Sequence, residues 1–380
     1  MFKPQIQKTK ILLIIAFINV VLVLFVANSK TYVKQPNFDM KVESTNHMRE
    51  LINSVKQMDE IFIEDLDYYN SGLVGRLNSH ITSKVDSTII DSKIITTHPH
   101  FAAFIVYLLE DLDLNPGDDI AITMSGSFPG ANIALLSACN IFDLNPVVIS
   151  SLGSSSYGAN RENLAWIDFE KYLYNQELIV NKSIAVSIGG REDLGDNLSD
   201  TGIELLEQKI FESKIKFINE ENLFKNIDKK WKLYNNKSKN YKAFINIGGG
   251  ASALGDGEGK NHMRGGVIYP ISKDDLEEIY YSSDDLDSYY PDFKKSLAYK
   301  FLDKNIPFVN IKNIESLVTA KGVNNIADEE GFLFYDVTQF NVTIVWISLV
   351  ISLFISITIG VLSHYQIKRR MLEDEIDSII

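Results

Sequence analysis

The hydrophobic pattern sets two uncharged apolar runs near the ends of the chain around a middle where short apolar runs alternate with amphipathic ones. Residues 11–28 read ILLIIAFINVVLVLFVAN, 18 residues in which Asn19 is the only strongly polar one before Asn28. Residues 342–362 read VTIVWISLVISLFISITIGVL, 21 residues without a charge. A bilayer core of about 30 Å is crossed by about 20 helical residues, so each run is long enough to span it. A buried core helix is the alternative, but soluble cores rarely run this far without a polar face.

The middle of the chain reads differently. Residues 43–66 place Met48, Leu51, Ile52, Val55, Met58, Ile61 and Ile63 at helical spacing, which predicts an amphipathic stalk or cap helix. Residues 99–112 predict a buried helix beginning after Pro99. Four β-type runs follow, each ending in a loop rich in Gly or Ser. Ile120–Met124 leads into Ser125-Gly126-Ser127-Phe128-Pro129-Gly130 and a helix over ANIALLSAC. Val147–Ser150 leads into Ser151–Asn160 and a helical ENLAWIDFEKYL. Ser183–Ile188 leads into Gly189-Gly190-Arg191-Glu192-Asp193 and a helix over TGIELLEQKIFES, capped by Ser199 or Asp200. Tyr241–Ile247 leads into Gly248-Gly249-Gly250, after which no clear helix opens. A fifth run, Ile306–Ile311, precedes a helical IESLVTAKG.

Strands apolar throughout suggest burial on both faces, and their alternation with helices suggests a parallel sheet. The expected fold is α/β: a mostly parallel sheet with helices on both faces and Gly/Ser-rich strand-to-helix loops, flanked by two transmembrane helices. The expected organisation is a tail (1–10), a membrane helix (11–28), a helical stalk or cap (29–114), an α/β domain (115–339), a second membrane helix (340–363) and a tail (364–380). The acidic, turn-rich stretch 255–290 reads as an insertion or lid. Loops beyond the C-terminal ends of parallel strands gather on one edge, so the four Gly/Ser loops are expected to converge on one crevice.

Charge gives the chain a direction. Lys3, Lys8 and Lys10 precede the first apolar run, and Lys368, Arg369 and Arg370 follow the second. The positive-inside rule then places both termini in the cytoplasm and the α/β domain on the outer side of a bacterial-type plasma membrane. Lys30 and Lys34 oppose this assignment; Asp328, Glu329, Glu330 and Asp336 before the second run favour it. Ala27-Asn28-Ser29 also fits a cleavage site, which would make the first run a signal peptide and leave the domain outside all the same. The length of the run favours an uncleaved anchor. Net charge is −13; with +3 on residues 1–10 and −1 on residues 364–380, the part between carries −15. Such a domain has no attraction to nucleic acid. The one cysteine, Cys139, excludes an intrachain disulfide and reads as a small apolar core residue.

The loops carry the candidate chemistry. Glycine permits close backbone approach, and helix N-termini favour anions. The candidate ligand-binding residues are Ser125, Gly126, Ser127, Ser154, Ser155, Asn160, Arg161, Gly189, Gly190, Arg191, Gly248, Gly249 and Gly250. Arg161 and Arg191 are placed to grip a carboxylate bidentately, or else to pair with Glu162 and Glu192. The plain reading of SGSFPG is a turn, with Ser127 as N-cap and Pro129 in the first helical turn. None of the loops is a Walker A motif or fits the dinucleotide fingerprint, and an outer location argues against nucleotide cofactors, so none is expected. Serine catalysis is the sharper alternative, with Ser125 or Ser127 as nucleophile and Asp193, Glu192, His98, His100 or His262 as base. The Gly-x-Ser-x-Gly elbow is absent, and His98 and His100 read as surface residues. Glu192, Asp193, Asp196 and Asp200 read as a solvated loop ahead of a Ca²⁺ site, so no metal is expected.

SGSFPGAN (125–132), SSLGSSSYGANRENLAWIDFEKYL (150–173), SIGGREDLGDN (187–197) and FINIGGGASALG (244–255) resemble, in order and spacing, a bacterial family known as the poly-gamma-glutamate system protein. The resemblance covers most of 115–255 and the membrane anchors. It implies an accessory role in the synthesis, export or retention of an anionic polymer, alongside synthase or export subunits, and it assigns no catalytic residues. A serine hydrolase or transferase acting on the polymer, and a scaffold whose spans pack on synthase subunits, are the alternatives. A domain of charge −15 repels a polyanion at long range, so either helix N-termini, Arg161 and Arg191 bind a few carboxylates locally or the domain contacts the synthase complex and never holds the polymer.

Overall fold

The computed structural model describes residues 9–257, 259–270, 279–280, 291–329 and 331–377. They form two compact units, one of residues 36–329 and one of the segments before 36 and after 329.

The larger unit is mixed α/β around a seven-stranded sheet. In chain order its strands are β1 (Asp119–Ser125), β2 (Asn145–Ser151), β3 (Ala185–Ser187), β4 (Lys216–Phe217), β5 (Ala243–Ile247), β6 (Gly266–Ile268) and β7 (Phe308–Ile311). Across the sheet they run β6-β7-β5-β1-β2-β3-β4. Every neighbouring pair is parallel except β6 with β7.

Successive strand residues point to opposite faces, and both faces are buried. Ala121, Ile149, Ala185, Phe244 and Phe308 pack with Ile227 and Tyr234 of helix Leu223–Lys237 and with Phe301 of helix Leu297–Leu302. Phe301 stacks on Phe244 at 4.5 Å, and the Tyr234 hydroxyl donates to the Ile122 carbonyl at 2.6 Å. Val186 and Ile188 instead pack with Leu206 and Ile210 of helix Asp200–Ser213 and Ile167 of helix Trp166–Asn175. Helix Phe38–Val55 lies against His100–Leu109 and Pro129–Ile141.

The chain order creates one switch point. From β1 the chain moves outward through β2, β3 and β4, then returns to place β5 on the other side of β1. Connections therefore leave β1 and β5 in opposite directions, opening a crevice beyond their C-terminal ends.

Several element boundaries differ from the sequence reading. The helix expected over 43–66 ends at Val55, and residues 56–66 are turns and extended chain. In ENLAWIDFEKYL the helix begins only at Trp166, because Asn160–Arg161 and Leu164–Ala165 pair as a small hairpin. A single turn, Ala251–Leu254, follows the three glycines. Ser199 caps helix Asp200–Ser213 by accepting from the Gly202 N–H at 3.1 Å. Most of the proposed lid at 255–290 lies outside the described residues, as does the tail before Thr9.

The smaller unit holds two helices long and apolar enough to cross a membrane, Thr9–Ala27 and Val342–Asp377. They pack against each other. Asn19 donates to the Ile15 carbonyl at 2.9 Å and accepts from the Ser352 hydroxyl at 2.5 Å, so its amide is used within the helix pair. Beyond the helices, Lys30–Lys34 pairs antiparallel with Tyr335–Phe340.

One buried acid in the larger unit makes its stability pH-dependent. Glu170 is 2% exposed and accepts from the Ser183 hydroxyl at 2.8 Å. Burial pushes its carboxyl up to about 7, although the Ser183 bond acts in the other direction. A folded-state pKa above the unfolded one means the folded protein holds an extra proton between the two values. Stability therefore falls as pH rises from about 4.5 to 7. Glu170→Gln should abolish that fall and, by about 3 kcal/mol at most, stabilise the domain above pH 7. Thermal melts of both proteins between pH 4 and 8 check this; parallel curves would refute it.

Candidate functional site

At the switch point the loops touch. A Cβ added at Gly248, after β5, would stand 2.5 Å from Ser125 Oγ at the end of β1. A Cβ at Gly126 would meet the Leu152 carbonyl after β2 at 2.5 Å, and one at Gly189, after β3, would meet Ser151 Cβ at 3.1 Å. The loops after β1, β2, β3 and β5 thus share one edge with little space between their backbones.

Beneath them lies a buried polar cluster. Lys230, on helix Leu223–Lys237, reaches Asp193 Oδ2 at 2.7 Å, Ser252 Oγ at 2.8 Å and Ser187 Oγ at 3.0 Å. The Ser187 hydroxyl in turn donates to Asp193 Oδ1 at 2.7 Å. Lys230 is 2% exposed and Asp193 3%. An ammonium has three donors, and here all three are used, so it offers no lone pair as a base. Asp193 is held at φ 66 by the glycine-rich turn, and Asn226 donates to its carbonyl at 3.2 Å. Next to Lys230 is a cavity of about 10 Å³ lined by Ser125, Ser151, Asn246, Ser252 and Gly250, among others. That volume matches one water molecule. Ser125 Oγ is buried there and has no hydrogen-bond partner among the described residues. A polar chain continues across the sheet, with Thr123 donating to Asn246 at 3.0 Å, Asn246 to Asn310 at 3.0 Å, and Asn310 to the Arg264 carbonyl at 2.8 Å.

A second group, of cations, borders the same loops. Lys93, on helix Ile90–Thr97, is 1% exposed; its ammonium nitrogen bonds the Ser127 carbonyl, lies 3.0 Å from Ser155 Oγ and sits over the Phe128 ring. Burial first, and the Lys84 charge second, hold its pKa well below that of a free lysine. Lys312 follows β7 and bonds the Lys260 carbonyl. Burial, then Lys260 and Lys84, bring it down to about 8. Lys260 is lowered by burial, with Asp256 opposing and Arg191 adding to the effect. Lys84 thus acts on both Lys93 and Lys312, Lys260 acts on Lys312, and Arg191 acts on Lys260.

The sequence-based candidates divide on this geometry. Ser125, Ser127, Ser154, Ser155, Gly189, Gly190, Asp193 and Gly248 belong to the contacting loops. Ser127 does not cap the following helix, whose N-cap is Phe128; its hydroxyl accepts from the Ser155 N–H at 3.1 Å. Ser154 donates to the Gly126 carbonyl at 3.0 Å. Around Gly249 and Gly250 there is open space. Asn160 is buried and binds both backbone groups of Arg76 and the Thr82 hydroxyl. Arg161 does not offer its guanidinium to a ligand: it is 5% exposed and donates to the carbonyls of Phe62, Gly72 and Val74. Arg191 spends its backbone N–H on Asn197 at 3.0 Å. Asp196 accepts from the Glu192 N–H at 2.8 Å. His100 is buried and His98 half-buried; they pack edge to face at 4.5 Å beside Tyr69, and burial brings His98 down to about 4. Neither Ser125 nor Ser127 bonds a histidine or carboxylate among the described residues.

Lys230 and Lys93 escape motif reading because no motif contains them. Each sits at a position that helical spacing assigns to an apolar face. Leu223, Ile227, Lys230 and Tyr234 are all buried on one side of their helix, as are Lys93, Ile94 and Thr97 on theirs. A lysine in register with buried apolar residues is the signal.

Gly248 fixes how tightly the crevice closes. Its φ of 95 is unfavourable for any L side chain, and its Cβ position overlaps Ser125 Oγ. Gly248→Ala should cost about 2–3 kcal/mol from the two causes together. Adding Ser125→Gly should recover the steric share and leave the backbone share, a partial rescue that urea denaturation resolves. Full rescue, or none, would show that only one cause operates. No family model, curated protein or solved structure matches this chain.

Proposed function

We propose that this chain is a membrane-anchored accessory protein of poly-γ-glutamate synthesis or export, with the α/β domain on the outer side and both termini in the cytoplasm. In this reading the domain binds the polymer's carboxylates at the crevice where the Gly/Ser loops meet, and the anchors keep it beside the synthase or export subunits. The observation that carries it is the cation group of Lys84, Lys93, Lys260, Lys312 and Arg191 around those loops. Charge is screened over about 8 Å at physiological ionic strength. A bound carboxylate therefore responds to these side chains more than to the −15 spread over the domain. Lys93, Lys260 and Lys312, whose pKa values are lowered by burial first and neighbouring cations second, are stabilised in their charged form when an anion arrives beside them.

Fluorescent oligo-γ-glutamate, titrated against the full chain in detergent micelles, tests the reading. Binding should saturate, weaken with salt, and weaken about tenfold or more in Lys312→Met or Lys260→Met, the worth of one charge-assisted bond. It should also weaken as pH rises above about 8, because free Lys312 then has to take up a proton to meet the carboxylate. An absence of saturable binding at low salt would sink the proposal. A reporter fused near residue 220 and found in the cytosol would sink its topology.

A further inference from the structure

We propose that Ser155 and Lys93 form a serine–lysine acyl-transfer pair, Ser155 as nucleophile and Lys93 as its base, acting on an amide or ester bond in a carboxylate-bearing substrate. The pair goes beyond the binding reading and draws on it only for the substrate's charge.

The geometry meets the requirements of such a pair. Lys93 Nζ lies 3.0 Å from Ser155 Oγ, within proton-transfer reach. Its other polar contact is the Ser127 carbonyl, an acceptor, so one N–H is used there and the lone pair of a neutral amine is free to take the Ser155 proton. Among the described residues no carboxylate bonds Lys93, whereas Lys230 is saturated by Asp193 and two serines. The two lysines thus have opposite settings: one is enclosed by a carboxylate and two hydroxyls, the other lies against the face of Phe128. Burial and the neighbouring Lys84 favour the neutral form of Lys93.

Ser155 is the half-buried partner of this pair, on the strand Ser154–Ser155 beyond the end of β2. Its backbone is pinned by Ser127 Oγ at 3.1 Å, and among the described residues its hydroxyl bonds Lys93 alone. Pairing with Thr82–Lys84 sets Lys84 opposite Ser155. That ammonium, exposed and 3.7 Å from Asp86, is placed to attract a substrate carboxylate or to steady the oxyanion.

The reaction balances with water as co-reactant. The Ser155 proton passes to Lys93 as Oγ bonds the carbonyl carbon and the C=O pair moves to oxygen. When the pair returns, the C–N or C–O bond breaks and the leaving group takes the proton from Lys93. Water repeats the sequence on the acyl-serine and releases an acid; an amine in its place gives transfer instead of hydrolysis.

A fluorophosphonate tests the pair without any polymer, so its outcome is separate from that of the binding proposal. The full chain in micelles should be labelled on Ser155, as located by peptide mass spectrometry. Labelling should vanish in Ser155→Ala and slow by about 100-fold or more in Lys93→Arg, whose guanidinium is no base. Because arginine has to fit a buried site, Ser155→Cys provides a second measurement on otherwise native chain. Cys139 is buried with its thiol pushed up to about 12, so it stays silent. The introduced thiol should react with iodoacetamide at pH 7 about tenfold faster than free cysteine, since Lys93 takes its proton. No label, a label on Ser125 or Ser127, or a thiol no faster than free cysteine would each overturn the proposal.

Discussion

Asp193→Asn should destabilise the α/β unit by about 3–5 kcal/mol. The side chain removed is 3% exposed and faces an ammonium that is 2% exposed. Once the carboxylate is gone, Lys230 keeps two hydroxyls and loses its counter-charge in a place water hardly reaches. Lys230→Met should cost a similar amount by leaving Asp193 with only the Ser187 hydroxyl. The informative measurement is the double variant. Replacing both members of a buried pair with apolar groups of similar volume is often neutral. Lys230→Met with Asp193→Leu should therefore recover much of either single loss in urea denaturation. If the double variant loses the sum of the two, the residues act independently and the pair is not a unit. Position gives the pair a second consequence. Ser252 and Ser187 belong to the loop after β5 and the end of β3, and one ammonium joins them, so the pair ties together two walls of the crevice.

Such a tie was hidden in the sequence for a physical reason. Strand and loop residues announce themselves locally: AITM before SGSFPG and FINI before GGG show both the apolar run and the turn. The two long apolar helices were legible in the same way, from length and lack of charge, as was the mostly parallel sheet from alternation. Helix Leu223–Lys237 is rich in Lys and Asn and reads as a polar connection unless its spacing is counted. Helix Ile90–Thr97 holds three isoleucines and two threonines, a β-branched composition that favours strands locally. Tertiary packing makes it a helix, and with it brings Lys93 to the loops. Net charge hides local grouping for a related reason. A net value of −15 averages over a surface, whereas Lys93, Lys260 and Lys312 are gathered by folding from positions 93, 260 and 312. Conversely, Ser127 followed by Pro129 has the local chemistry of a helix cap, but its hydroxyl is taken by Ser155, 28 residues away.

Arg161 shows the same limit from the other side, and its replacement is the second substitution expected to have a large effect. Standing next to a Gly/Ser loop, it reads as a ligand grip; in the fold it holds the segment 60–77. Its guanidinium donates to Gly72 at 3.1 Å, to Val74 at 2.9 Å and to Phe62, with Glu64 at 3.8 Å. That segment has no helix or strand of its own, and Gly75 packs so closely on Gly158 and Asn160 that a Cβ would stand 2.0 Å from the Gly158 carbonyl. Arg161→Met leaves three carbonyls without their donor. At about 1–3 kcal/mol for each buried group left unpaired, and with some regaining water as the segment loosens, the net cost should be about 3–5 kcal/mol. Arg161→Lys should recover only part, because a point ammonium cannot fork across three acceptors. Hydrogen exchange should rise first in residues 60–77, ahead of the sheet. Oligo-γ-glutamate binding, measured where the variant is still folded, should stay within about twofold of the parent, whereas Lys312→Met should reverse the pattern by weakening binding and sparing the melt. If Arg161→Lys instead lost binding with unchanged exchange in 60–77, the guanidinium would be a ligand donor after all and the assignment of the crevice would shift to the 158–161 side.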